Sequence, residues 1–426
     1  MKQFGERVGR NYHLFEYYGH LEAEYVIVVM GAGSTTVMET IDYFNAQGKK
    51  YGLIKVRLFR PWVAADFQAC IPTTCQAIAV LDRCKENGSQ GEPMFLDVST
   101  SMQNNGDLRK VVGGRFGLGS KDLTPRMVAA VYKNLQRPEP LHGFTVGIED
   151  DLTQLSLPLG KQIQTVSPEV IQCMFWGLGS DGTVGANKNA VKIIGDNTEL
   201  NAQAYFAYSA HKSGGVTMSH LRFGAPRITA QYEITPGSAH FIACHNPTYP
   251  HKFRMLENLK DGGTFLMNTP ASTVEELDAE LPYHMKRTLA KKKAQVYVMN
   301  GAAIGVEVGL GKRINMIMQT AFFKLALGMG ILPMSFEDSV KYMKTAIKKT
   351  YESKGQKVVQ MNYNAVDSVA EDDGTRLIKI DYPSSWENAV AKVSKRAGVP
   401  DDPSGFSDSI VDKMLALEGR DISVKT

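Results

Sequence analysis

The chain is 426 residues long and carries 48 Lys plus Arg against 44 Asp plus Glu, a formal charge of +4. That length predicts two or three domains, each able to bury its own core. The near-even charge balance, with no aromatic residues interleaved among basic clusters, argues against a nucleic-acid groove.

The start, "MKQFGERVGR", is charged and lacks the apolar stretch of a signal peptide. Residues 24–30, "EYVIVVM", read as a buried strand. "GAGSTT" follows, then the helical pattern "VMETIDYFNAQGKK" and a second strand, "YGLIKVRLF". This is a βαβ unit of parallel-sheet type. "TCQAIAVLDRC" reads as a further strand, and "FLDVSTSMQ" enters a helix. The stretch 106–136 supplies one more strand, a glycine loop and a helix. Residues 1–137 therefore read as one doubly wound domain. The Pro- and Gly-rich 138–166, with the acidic "IEDDLTQLSLPLG", reads as a linker.

A second domain, 167–385, opens with the strand "VIQCMFW", the loop "GLGSDGT" and the helix "VGANKNAVKIIGDN". Within it Gly177-x-Gly179-x-x-Gly182 matches a dinucleotide fingerprint, with a strand before it and a helix after it. Glycines let backbone N–H groups approach an anion, and a helix start adds the positive end of its dipole. The next strand, "AQAYFAYSA", ends in His211, Lys212 and Ser213, with no acid to bind free ribose hydroxyls. A lysine there suits a ribose that carries a further phosphate, as in NADP or coenzyme A; the bland alternative is a solvated loop lysine.

Alternating strands follow near 214–234, then the buried strand "HFIACHNP" and a helix, turn and strand over 255–270. His220 and His245 each read as core or edge histidines. Two amphipathic helices are expected after the run "KKKAQVYVMNGAAIGVEVGLGKRINMIMQTAFFKLAL". The apolar run near "TAFFKLALGMGILPM" is interrupted by Lys324, so it predicts a buried helix and not a membrane span. Residues 386–426 read as a polar tail. The fold class is thus α/β, two Rossmann-like domains with mostly parallel sheets joined by a linker.

Five cysteines, Cys70, Cys75, Cys84, Cys173 and Cys244, include no C-x-x-C pair. No zinc site or iron–sulfur run is legible, and the scattered odd set suits reduced thiols in the cytoplasm. No Ser–His–Asp pattern, paired-carboxylate motif or thiamine-type G-D-G site is legible either, so no catalytic residue is assigned.

The segments "AEYVIVVMGAG", "GLIKVRLFRPW", "FTVGIEDDLT", "FWGLGSDGTVGANKNAVKIIGDNT", "KSGGVTMSHLRFG", "ACHNPTY" and "GKRINMIMQTAFFKLA" together resemble pyruvate:ferredoxin (flavodoxin) oxidoreductase, in order and up to about residue 390. The resemblance implies a transketolase-C-like domain in the first half and a gamma-type domain in the second. It implies that the coenzyme A pocket falls on Ser180, Asp181, Gly182, Thr183, Val184, Lys212, Asn315 and Asn362. Ser180 departs from the small apolar residue common in the family. In the family the thiamine diphosphate, Mg2+ and [4Fe-4S] sites lie on other domains, absent from this chain, and electrons pass to ferredoxin or flavodoxin. The chain is then expected to be part of a larger, homodimeric enzyme and inactive alone. The alternatives are a stand-alone NADP-binding oxidoreductase fragment and a scaffold subunit with a vestigial loop.

Overall fold

Short apolar runs rich in Val, Ile and Leu build two sheets in the computed structural model, which describes residues 2–150, 152–208, 214–390, 404–419, 422, 423 and 425. The chain divides into two units: 1–166 with 229–232 and 405–426, and 167–228 with 233–404.

The first unit holds α1 (Lys2–Val8), β1 (Phe15–Gly19), β2 (Tyr25–Met30), α2 (Gly33–Asn45), β3 (Tyr51–Val56), α3 (Ala64–Ala69) and β4 (Ala77–Asp82). It continues with α4 (Pro93–Asn104), β5 (Lys110–Arg115), α5 (Pro125–Leu135) and β6 (Phe144–Thr145). The sheet order is β1-β3-β2-β4-β5-β6. All neighbours are parallel except β1 on β3. Both faces are covered, which is why these strands read as continuous apolar runs and not as alternating ones. Ile27, Val29, Leu53 and Ala79 pack with Val37, Ile41, Val128 and Tyr132 of α2 and α5. Val26, Val28, Ile54 and Val80 pack with Phe67, Val98 and Met102 of α3 and α4. The antiparallel edge strand β1, "FEYYG", lies outside the elements legible in the sequence. Its pairing with β3, Phe15 opposite Val56, is a long-range contact with no local signal.

The second unit holds β7 (Ile171–Leu178), α6 (Thr183–Asn197), β8 (Asn201–Tyr208), β9 (Val216–Gly224), β10 (Ala239–Cys244) and β11 (Leu259–Asn268). Then come α7 (Val274–Glu280), α8 (Tyr283–Lys291), β12 (Gln295–Met299), α9 (Gly301–Glu307), α10 (Asn315–Gly328), α11 (Phe336–Tyr351), α12 (Gln356–Ala370) and β13 (Ile378–Ile380). The order β13-β12-β11-β10-β7-β9-β8 has a parallel centre, β12-β11-β10-β7. Antiparallel strands flank it on both sides. The helix expected before β11 is a single 3-10 turn, Met255–Asn258, and the strand runs on through Gly262 and Gly263. Helix α10 is buried on nearly every side; Phe322 meets Phe175 and Phe241 at ring-centre distances of 5.1 and 5.2 Å. No described helix is long and apolar enough to cross a membrane.

The expected tail at 386 begins too early. Trp386 is 2% exposed, stacks on Tyr382 and donates from Nε1 to Asp278 at 2.7 Å. It caps the core formed by Leu277, Met285 and Leu289. Trp386→Phe keeps an aromatic ring and removes that donor. It is expected to cost about 1–2 kcal/mol in denaturant melts. An unchanged midpoint would return residue 386 to the tail.

Candidate functional site

Strand β7 ends at Leu178, and the chain turns through Gly179–Gly182 into α6. Two of the three fingerprint glycines are there for their neighbours. A Cβ on Gly177 would lie 2.6 Å from the Thr183 side chain, so its absence lets that side chain fold back under the strand end. Gly182 has φ +92°, a left-handed backbone, and a Cβ there would lie 2.9 Å from Asn315 Cγ. Ser180 is also left-handed, with φ 74°. Such a conformation is strained for a residue with a Cβ.

Asp181 staples the turn. Its carboxylate accepts from Leu178 N at 2.8 Å and from Thr183 N at 2.7 Å. A negative side chain at a helix start also meets the positive dipole end. The N–H groups of Ser180, Gly182, Val184 and Gly185 have no acceptor among the described residues. They are the donors left for an anion. Below them Asn315, 6% exposed at the start of α10, has no hydrogen-bond partner for its side-chain amide. Its amide is not among the side-chain groups sealed from solvent, so it is open to water or to a ligand.

Beside β7, the loop after β10 holds the turn in place. His245 Nδ1 and Thr183 Oγ1 are 2.8 Å apart and buried. His245 N donates to Trp176 O at 2.9 Å, and Tyr249 Oη donates to Gly177 O at 3.2 Å. Burial pushes His245 down to about 4, against the pull of the Asp181 carboxylate, so the ring is neutral near pH 7. Burial, helped by the Asp181 charge, pushes the Tyr249 phenol up to about 12, so it stays a donor.

The sequence-chosen residues fare differently. Ser180, Asp181, Gly182, Thr183 and Val184 form the turn and the helix start, and Asn315 packs against Gly182. Asn362 sits within α12, its Nδ2 donating to Val358 O at 2.8 Å. Nothing in the structure joins it to the turn. Lys212 lies outside the described residues. Tyr249 was missed; His245 is the buried, hydrogen-bonded histidine the sequence suggested, but its place beside the turn was not read. Their signal is positional: both follow the strand beside β7, which cannot be read before the strand order is known. The cysteines carry no chemistry at this turn; burial raises the thiols of Cys173 and Cys244 well above their ordinary value. A groove of about 610 Å³ on the first unit, lined by Tyr12–Tyr17, Asp66, Ala69 and Cys70, contains none of the chosen residues.

Topology bears on how the ribose is read. In a dinucleotide fold the ribose is read at the end of the strand adjacent to the glycine strand. Here antiparallel β9 lies between β7 and β8, so the end of β8 is not in that place.

A glycine turn between a strand of a largely parallel sheet and a helix start is an arrangement common among nucleotide-binding α/β proteins. Family comparison goes further. Residues 172–371 match the pyruvate ferredoxin/flavodoxin oxidoreductase domain, and residues 23–128 match core domain II of pyruvate:ferredoxin oxidoreductase. The chain belongs to the pyruvate ferredoxin/flavodoxin oxidoreductase family.

It is 48% identical over 426 residues to a pyruvate:ferredoxin oxidoreductase of Moorella thermoacetica, covering 100% of this chain and 35% of that protein. It is 46% identical to a pyruvate-flavodoxin oxidoreductase of Enterobacter agglomerans, over 100% of this chain and 35% of that protein. To a pyruvate dehydrogenase [NADP(+)] of Cryptosporidium parvum it is 48% identical, over 90% of this chain and 20% of that protein. The chain thus spans between a fifth and about a third of the length of these relatives.

Proposed function

We propose that this chain forms the coenzyme A-binding part of an enzyme that converts pyruvate and coenzyme A to acetyl-CoA and CO2. Electrons pass in this reading to ferredoxin or flavodoxin. The observation that carries it is the set of unpaired N–H groups at Ser180, Gly182, Val184 and Gly185 above the unpaired amide of Asn315. The turn holds the diphosphate, Asn315 adds a polar contact, and Lys212 meets the ribose phosphate. Catalysis is served by position: the thiol is delivered in reach of the acyl group, and no proton transfer is asked of these residues. Thiamine diphosphate, Mg2+ and the [4Fe-4S] clusters belong, on this reading, to the rest of a cytoplasmic, homodimeric protein.

Choice of electron acceptor also belongs elsewhere. Relatives named for ferredoxin, flavodoxin and NADP+ match the chain at 48%, 46% and 48% identity, so the acceptor leaves no trace in its degree of likeness. The competing reading is a stand-alone NADP site; β9 stands between β7 and β8, so the end of β8 is one strand removed from the adjacent-strand position under either reading.

Calorimetric titration decides between them. Coenzyme A is expected to bind and NADPH not. Lys212→Glu is expected to weaken coenzyme A about ten- to hundredfold and to spare dephospho-coenzyme A, since only the former carries the phosphate the lysine meets. Equal losses for both ligands would remove Lys212 from the pocket.

A further inference from the structure

The turn that bears the unpaired N–H groups is stapled by its own Asp181 and gripped from outside as well. Its near end, Gly177, is gripped through its carbonyl by Tyr249 Oη at 3.2 Å. Its far end, Thr183, is met by His245 Nδ1 at 2.8 Å, and the Thr183 side chain occupies the space that a Cβ on Gly177 would take. Both grips come from the segment after β10.

That segment is tied down in turn. Asn268 Nδ2, at the end of β11, donates to His245 O at 2.8 Å, and its Oδ1 accepts from Gly301 N at 2.9 Å at the start of α9. A continuous hydrogen-bonded chain therefore runs along the carboxyl ends of the parallel strands, from α9 to the first residue of α6. His245 is 4% exposed, and its Nε2 has no partner among the described residues. The one hydrogen bond the ring makes among the described residues is the one it shares with the Thr183 hydroxyl. A histidine bonded to the first residue of a helix fixes where the N–H groups of that helix point.

We infer that His245 is a positioning residue for the anion-binding turn, acting through the Thr183 hydroxyl to aim the N–H groups of Ser180, Gly182, Val184 and Gly185. This rests on the coenzyme A reading for its ligand but not for its geometry. Its neutral state near pH 7 agrees with a ring that orients and carries no charge.

Two measurements on the 426-residue chain test it. The first is coenzyme A titration of His245→Phe, Thr183→Val, the double variant and Thr183→Ser. Each of the first two is expected to weaken binding about tenfold, and the double variant no more than the worse single, because one bond is lost once. Thr183→Ser keeps the hydroxyl and is expected to stay within about twofold of the parent. Thr183→Val exchanges a hydroxyl for a methyl, so it keeps the test alive if His245→Phe does not fold. Additive losses, or a serine variant as weak as the valine one, would overturn the inference.

The second measurement needs no ligand. Amide hydrogen exchange of 177–186 is expected to rise about tenfold in Thr183→Val, with 110–135 of the first unit unchanged. Unchanged exchange at 177–186 overturns the positioning role. A parent chain that ignores coenzyme A overturns the proposed ligand, while the exchange result still decides for or against His245.

Discussion

Far less urea is expected to unfold the second unit at pH 5 than at pH 7. Burial, reinforced by the Arg222 charge, pushes His220 down from its ordinary 6.5 to about 3, and burial pushes His245 to about 4. In the unfolded chain both rings take a proton near pH 6.5; in the folded chain they do not. Between those values the unfolded state holds more protons, so acid favours it. The stability at stake is fully present above 6.5 and drains as the pH falls toward 4. Each ring costs about 1.4 kcal/mol per pH unit in that window, so about 4 kcal/mol for the pair at pH 5. That is a large share of the roughly 5–15 kcal/mol that holds a domain together. Both histidines lie in the second unit. Exchange protection of 171–178 should therefore fall with acid before that of 77–82. Equal urea midpoints at the two pH values would mean that both of these rings are charged or solvated in the native state.

Gly182→Val is expected to abolish measurable affinity for coenzyme A and dephospho-coenzyme A alike, by about a hundredfold or more. A β-branched residue at φ +92° is strained by about 1–3 kcal/mol, and its Cβ would sit 2.9 Å from Asn315 Cγ. Relief requires the turn to move, Asn315 to move, or both, and each carries a proposed ligand contact. The paired titrations read the effect. Loss of one ligand only would show that Gly182 serves the ribose and not the shared diphosphate.

Much of the fold was legible because parallel strands buried on both faces leave unmistakable runs, such as "VIVV" in β2 and "AIAVL" in β4. What escaped was held by distance or hidden by its neighbours in sequence. β1 is five residues long and finds its place only against β3. The two amphipathic helices expected after Leu327 did not escape: they are α11, whose Ser335 accepts from Asp338 N, and α12. The glycine turn was legible because its glycines cluster in sequence. Its supports were not: His245 and Asn268 lie 62 and 85 residues beyond Thr183, and only the strand order brings them to one edge. Trp386 was lost to the company it keeps, a polar segment around one buried ring.

The Asp181 carboxylate has a kinetic meaning. By bonding Leu178 N and Thr183 N it acts as a resident anion that moulds the turn before any visitor arrives. A ligand then meets a finished mould and has no ordering step to wait for. Association should run in a single phase, with a rate proportional to ligand concentration, and residence time should govern the differences among variants of the turn. The same carboxylate repels the newcomer, so added salt, which screens that repulsion, should slow capture less than the positive helix start alone would predict.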